Sequence, residues 1–163
     1  DLLVEAFRQT TNPTIKLDVF GLMPEQPDAR TKALIDALRG DHRITVQSPV
    51  PHDEVHALLA KYDTIVVPSK WLETGPLVVL EAFAAGITVI GANLGGIAEW
   101  VQHEGNGLLF TALDATALKE AMVRLADDRV LLGRLKQSIQ APRTMQQVAT
   151  EMLPIYQAQT NQS

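Results

Sequence analysis

Short apolar runs alternate with longer stretches of helical spacing from one end of the chain to the other. Ile15-Lys16-Leu17-Asp18-Val19-Phe20 alternates apolar and polar side chains and stops at Gly21, as a strand followed by a turn does. Four further runs read as strands: residues 43–47, 64–67, 87–91 and 107–110. The stretches between them carry apolar residues three and four apart. Residues 2–8 read as a helix with Leu3, Ala6 and Phe7 facing inward and Asp1 at its cap. Residues 30–38 place Ala33, Leu34, Ala37 and Leu38 on one face and stop at Gly40. Residues 76–85 and 97–101 read as two more helices, and three close the chain: 114–126 capped by Asp114, 129–139, and 144–159 beyond Pro142, with a polar, fraying end over 157–163. Strands that alternate with helices in this way predict an α/β domain built on a parallel sheet.

Composition narrows the function classes. A chain of 163 residues fits one domain with a sizeable core. Its hydrophobic content of 46% excludes a disordered chain. The longest apolar stretch, residues 75–94, is broken by Pro76, Glu81 and Gly86 and does not read as a membrane span. A net charge of −5 gives no basic footprint for nucleic acid. There is no cysteine, hence no disulfide framework or thiolate metal site, which fits the cytoplasm.

The candidate chemistry lies after the third strand. Pro68-Ser69 closes that strand, a loop carries Glu73, and Pro76 opens a helix that Gly86 ends. Glu81 is the only ionisable side chain between Gly75 and Ala98. A carboxylate in so apolar a run is expected to face a specific partner, either a ligand or a core arginine. Glu73 stands eight positions earlier, outside the helix N-terminus. The N–H groups of Thr74, Gly75 and Leu77 fall where the helix dipole favours anions, at the carboxyl end of a parallel strand where ligands of such sheets bind. Two carboxylates beside an anion-friendly helix end suit a sugar-bearing phosphate ester. Solvated or structurally paired glutamates are the equal alternative on spacing alone.

Gly95-Gly96 permits a close backbone approach and offers N–H groups to phosphate, with a tight turn as the alternative. His52 and His56 stand four apart. The zinc-protease pattern needs Glu directly after the first histidine, Asp53 stands there instead, and no third ligand is evident. The segment therefore reads as an exposed first turn leading to buried Leu58, Leu59 and Tyr62.

Pro68-Ser69, Glu73-Thr74-Gly75-Pro76, Glu81-Ala82, Gly95-Gly96-Ile97-Ala98-Glu99 and Asn106-Gly107-Leu108-Leu109 occur in an order that resembles the C-terminal, donor-binding domain of family 4 ("group 1") retaining glycosyltransferases of GT-B architecture. Two glutamates separated by seven residues are that family's signature. The resemblance implies a Rossmann-like parallel sheet flanked by helices, one half of a GT-B fold, over residues 1–163 as a probable fragment. In the family the first helix follows a strand that carries the basic residues of the diphosphate site. That strand is not found here, and in doubly wound order it is the middle of the sheet. A chain without it must pair its flanking strands directly, swap a strand, or rest on an incomplete sheet.

By the same resemblance, Glu73 is the catalytic residue that supports positive charge growing at the sugar's anomeric carbon. Glu81 accepts from the ribose hydroxyls. Thr74, Gly75, Pro76 and Leu77 meet the diphosphate or sugar, Gly21 ends a strand by the donor cleft, and Val50 offers a backbone contact near the base. Neither a metal nor another cofactor is expected, and no protein nucleophile is assigned. The expected partners are a nucleotide-sugar donor and an N-terminal acceptor-binding domain, with room for peripheral membrane association through that domain; the expected location is the cytoplasm. Two alternatives stand beside retaining transfer: a GT-B-like nucleotide-sugar epimerase domain, and a non-catalytic α/β interaction module.

Overall fold

A computed structural model describes residues 2–21 and 29–160; Asp1, expected as a helix cap, lies outside the described residues. The elements follow in the order α1 (Leu2–Arg8), β1 (Leu17–Phe20), α2 (Ala29–Leu38), β2 (Ile44–Gln47), α3 (His52–Leu59), β3 (Thr64–Val67), α4 (Leu77–Ala84), β4 (Thr88–Ala92), α5 (Gly95–Trp100), β5 (Gly107–Phe110), α6 (Ala115–Asp127), α7 (Arg129–Gln137) and α8 (Met145–Thr160). All five expected strands are present within one or two residues of their expected bounds. Asp114 caps α6 as expected, accepting from the N–H groups of Thr116 and Ala117.

The strands form two parallel sheets, β1-β2 and β3-β4-β5. Among the described residues β1 and β3 do not pair with each other, so direct pairing of these two strands, one of the expected outcomes, is not seen. The two pieces run the same way. α3 and α4 begin soon after the carboxyl ends of β2 and β3, and they lie side by side in parallel: His52 faces Glu81 and, one turn on, His56 reaches Ala84. The carboxyl ends of β1, β2, β3 and β4 therefore share one edge.

β4 is buried along its whole length. Ile90 and Ala92 face a core closed by α1, α6 and α7, while Val89 faces a second core closed by α4 and α5. A parallel strand covered on both faces needs this continuous apolar run. Gly91 is required by the second core, since a Cβ there would come within 2.5 Å of Ile97 Cγ2. Around β2, Arg43 lies over the Phe7 ring at 4.6 Å and donates to Asp41, to the Thr10 hydroxyl and to the carbonyls of Thr10 and Asn12. It fastens the α1–β1 loop to the start of β2. The guanidinium holds the Asp41 carboxyl down to about 2.

Gly107 and Gly133 give the packing a test of opposite signs. A Cβ at Gly107 would sit inside the contact distance of the Val89 carbonyl, a backbone atom that cannot turn aside. Gly133 lies inside α7 with open space around it. Urea denaturation should show Gly107→Ala losing about 1–3 kcal/mol, as overpacked sites do, and Gly133→Ala gaining up to about 1 kcal/mol from helix propensity.

Candidate donor-binding site

The loop from Pro68 to Pro76 carries the chain from β3 into α4. Pro76 is the residue before the helix rather than its first member, and α4 starts without a side-chain cap. The starts of α6 and α7 differ, each closed by an aspartate. The first N–H groups of α4 thus open toward the carboxyl edge of the sheet, where the dipole favours an anion.

Glu73 is fixed at both its backbone and its side chain. Its carbonyl accepts from the Gly96 N–H at 2.7 Å. Its carboxylate accepts from the Ser69 hydroxyl across the same loop. The side chain remains half-buried. Trp71 and Leu72, the two large apolar residues before Glu73, do not anchor this loop: they are 81% and 75% exposed. The anchor is the glycine pair at the start of α5. A Cβ on Gly96 would lie 2.7 Å from the Glu73 carbonyl oxygen and 3.0 Å from Pro76 Cδ, and one on Gly95 would lie 3.0 Å from the same oxygen. Gly95 also holds φ at +52°. The paired glycines therefore bring two loops together, and the Gly96 N–H expected for a phosphate is spent on Glu73.

Glu81 lies one turn into α4, with its side chain 36% exposed. Among the described residues no arginine meets it. Its ionic neighbour is His52, with Nδ1 3.9 Å from Oε1. His56 Nε2–H donates to the Ala84 carbonyl at 3.0 Å. Both histidines thus fasten α3 to α4, and among the described residues no group of three or more His, Asp or Glu is placed to hold a metal. The exposed first turn of α3 is as expected, but Leu58, Leu59 and Tyr62 are half-buried rather than buried.

Glu81 and Val50 line one cleft, which also takes in Phe20. Gly21 follows β1 with φ at +86°, a value only glycine adopts readily, and residues 22–28 lie outside the described residues. The structure thus groups Val50 with Glu81, and holds Glu73, Thr74, Gly75, Pro76 and Leu77 together as the loop entering α4. Sequence reasoning missed the tie of Ser69 to Glu73 and the contact of His52 with Glu81. The first had a local signal, a hydroxyl four residues ahead of the glutamate; the second joins residues from different helices and had none.

The profile of the family "Glycosyl transferases group 1" matches residues 1–142. The chain belongs to this glycosyltransferase family. It is 33% identical over 135 residues to an exopolysaccharide phosphotransferase of Streptomyces coelicolor, covering 81% of this chain and 14% of that protein. It is 33% identical over 116 residues to D-inositol 3-phosphate glycosyltransferase 1 of Catenulispora acidiphila, covering 71% of this chain and 27% of that one. Among solved structures, sucrose-phosphate synthase from Thermosynechococcus elongatus superposes with a TM-score of 0.81 at 28% identity, over 99% of this chain and 42% of that one. The HepE protein of Anabaena, solved with UDP-glucose, superposes at 0.75 and 24% identity, over 86% and 38%. The chain spans 14% and 27% of the length of the two curated relatives. Its Rossmann-like architecture is that of the GT-B C-terminal domain in this glycosyltransferase family.

The Gly96–Glu73 contact predicts that Gly96→Ala pushes the Glu73 carbonyl away. Hydrogen exchange at residue 96 should be slow in the wild type and fast in the variant, with a loss of about 1–3 kcal/mol for the overpacked site. An unchanged exchange rate would mean that the loop is held by something else.

Proposed function

We propose that this domain holds the donor of a retaining glycosyltransferase, a nucleotide-activated sugar, for transfer to an acceptor bound by another domain of the longer protein. One observation carries the reading: an uncapped α4 start, entered from a loop whose glutamate is fixed at both backbone and side chain, with a second glutamate one turn on, half-exposed in a cleft and paired with no arginine among the described residues. A structurally paired Glu81 would face a cation, and the histidine beside it is exposed to solvent. The UDP-glucose complex of HepE supports a uridine nucleotide as the first donor to try.

In this reading the N–H groups of Thr74, Gly75 and Leu77 receive the diphosphate. The ribose hydroxyls donate to Glu81, and Val50 offers its backbone beside the base. Glu73 faces the sugar. As the bond from the anomeric carbon to the diphosphate oxygen lengthens, positive charge grows on the sugar and a fixed carboxylate stabilises it without reorganising. Glu73 and Glu81 are not the acid/base pair of a glycosidase, since one serves the sugar and the other the ribose. The residues named need no metal. Because the acceptor lies on another domain, the 163-residue chain alone is expected to transfer no sugar.

Calorimetric titration of the chain with UDP, GDP and ADP tests donor binding. At least one nucleotide should bind, and a protein that binds none is an interaction module instead. A charge-assisted hydrogen bond is worth about 1.5–3 kcal/mol, so Glu81→Gln should weaken the bound nucleotide by about 10- to 100-fold. It should matter much less for the 2′,3′-dideoxy form. Equal losses for both forms would make Glu81 a core residue.

Glu73→Gln separates catalysis from architecture. Gln keeps an acceptor for Ser69 and leaves the bond from Gly96 intact, so stability should stay within about half a kcal/mol of wild type. Transfer by the longer enzyme containing this domain should fall at least about a hundredfold, as when an electrostatic group of the transition state is lost. A collapsed melting temperature, or transfer that survives nearly unchanged, would remove Glu73 from the chemistry.

A further inference from the structure

Ser69 and Glu73 are bonded to each other in a place where either could have served the fold. The Ser69 hydroxyl donates to Oε1 of the Glu73 carboxylate. Hydroxyls and carboxylates ahead of a helix usually cap its first N–H groups. Asp114 and Asp128 do so for α6 and α7. At α4 no side chain does, although Ser69, Glu73 and Thr74 all stand in the loop before it. The stabilisation open to this helix end is forgone, and the two side chains hold each other instead. Local rules broken in this way mark sites shaped for something besides stability.

The chemistry of the partner matters as much as its place. Other carboxylates of this chain are met by arginine: Asp41 by Arg43, Asp63 by Arg129, Glu104 by Arg124. Glu73 is half-buried and forms no ion pair among the described residues. A guanidinium orients a carboxylate and offsets its charge at the same time. A hydroxyl orients it and leaves the charge in place. A carboxylate accepts through both of its oxygens, so with Oε1 held by Ser69, Oε2 is left for a ligand.

The restraint on Glu73 divides into two parts. The Gly96 N–H holds its carbonyl at 2.7 Å and fixes the main chain. That bond does nothing for the side-chain torsions, and the exposed Trp71 and Leu72 beside it do not pack over them. Ser69 supplies what is missing.

From this geometry we infer that Ser69 is a positioning residue for Glu73: its neutral hydroxyl holds one carboxylate oxygen so that the other meets the donor sugar in a single orientation, with the negative charge undiminished. The inference rests on the role proposed above for Glu73 and adds the residue that aims it. Ser69 acts through the carboxylate. Without its hydroxyl the Glu73 torsions are free and must be frozen as the transition state forms, which slows turnover and leaves donor binding unchanged.

Two measurements test this. In the 163-residue chain, three-bond NMR couplings report the Glu73 side-chain torsion. They should show one rotamer in the wild type and in Ser69→Thr, and an average over rotamers in Ser69→Ala, with nearly equal melting temperatures. This measurement decides the positioning whatever the donor is. In the longer enzyme containing this domain, the fastest of UDP-, GDP- and ADP-glucose serves as the donor probe. Its turnover should fall about three- to tenfold in Ser69→Ala, the effect of freeing one side chain, at an unchanged donor KM. Ser69→Thr should restore it. Combined with Glu73→Ala, which leaves nothing to aim, Ser69→Ala should slow turnover little further. Averaged torsions in the wild type, a single rotamer in Ser69→Ala, or equal losses with and without the Glu73 side chain overturn the inference and leave the role of Glu73 standing. A raised donor KM at an unchanged rate makes Ser69 a binding group and overturns it as well. If Glu73→Gln leaves turnover intact, the reading of Glu73 fails and the inference falls with it.

Discussion

A parallel strand buried on both faces must be apolar throughout and must spend every backbone group on its neighbours, and β4 meets both demands between β3 and β5. Much else is arranged by that requirement. Fixing β4 beside β3 in register, Thr64 against Thr88 through Val67 against Gly91, ends the two strands at the same edge. The loops leaving them are then forced past each other, and only residues without a Cβ fit where they cross. Gly95 and Gly96 stand at that crossing, and the carbonyl they admit belongs to Glu73. The candidate catalytic loop is therefore held by the sheet's own geometry, transmitted through one backbone hydrogen bond.

This accounts for what could be read in advance. The five strands, the Asp114 cap and the loop–helix unit around Glu73 and Glu81 were readable because each depends on neighbours in sequence: alternation, an aspartate two and three residues ahead of the N–H groups it caps, a proline before a helix and a glycine after it. The resemblance added the roles of the two glutamates. What could not be read depends on residues distant in the chain. Whether paired glycines approach a phosphate or a carbonyl is the same local conformation with a different neighbour. Trp71 and Leu72 look like anchors in composition, but their burial depends on what stands opposite, and nothing among the described residues covers them. His52 and His56 resemble a ligand pair until α4 is seen to lie alongside, offering a carboxylate and a carbonyl at matching heights.

The same distinction separates the two glutamates. Glu73 is restrained through its own carbonyl and through Ser69, so its carboxylate is already oriented when a ligand arrives. Glu81 faces an exposed imidazole at 3.9 Å, a contact longer than a hydrogen bond and cheap to exchange for ribose hydroxyls. A group that acts on charge developing in a transition state gains from being fixed beforehand, because reorganisation would then add to the barrier. A group that only holds a substrate gains less from rigidity and more from leaving its acceptor oxygens available. The restraint observed on each carboxylate matches the role proposed for it.

The cleft between β1 and β3 brings these arguments together at one edge. Glu81 and Val50 line the same cavity as Phe20 of β1, so the ribose and base contacts proposed here border one space. Val50 follows β2 of the two-stranded sheet, and Glu81 lies in α4, which joins β3 to β4 of the three-stranded one. The two contacts are then linked through α3 and its histidine contacts to α4, with no ladder between the sheets. The bond from His56 to the Ala84 carbonyl holds α3 against α4 and so restrains the separation of the two contacts. Preorganisation of this kind raises affinity by removing an ordering cost at the moment of binding.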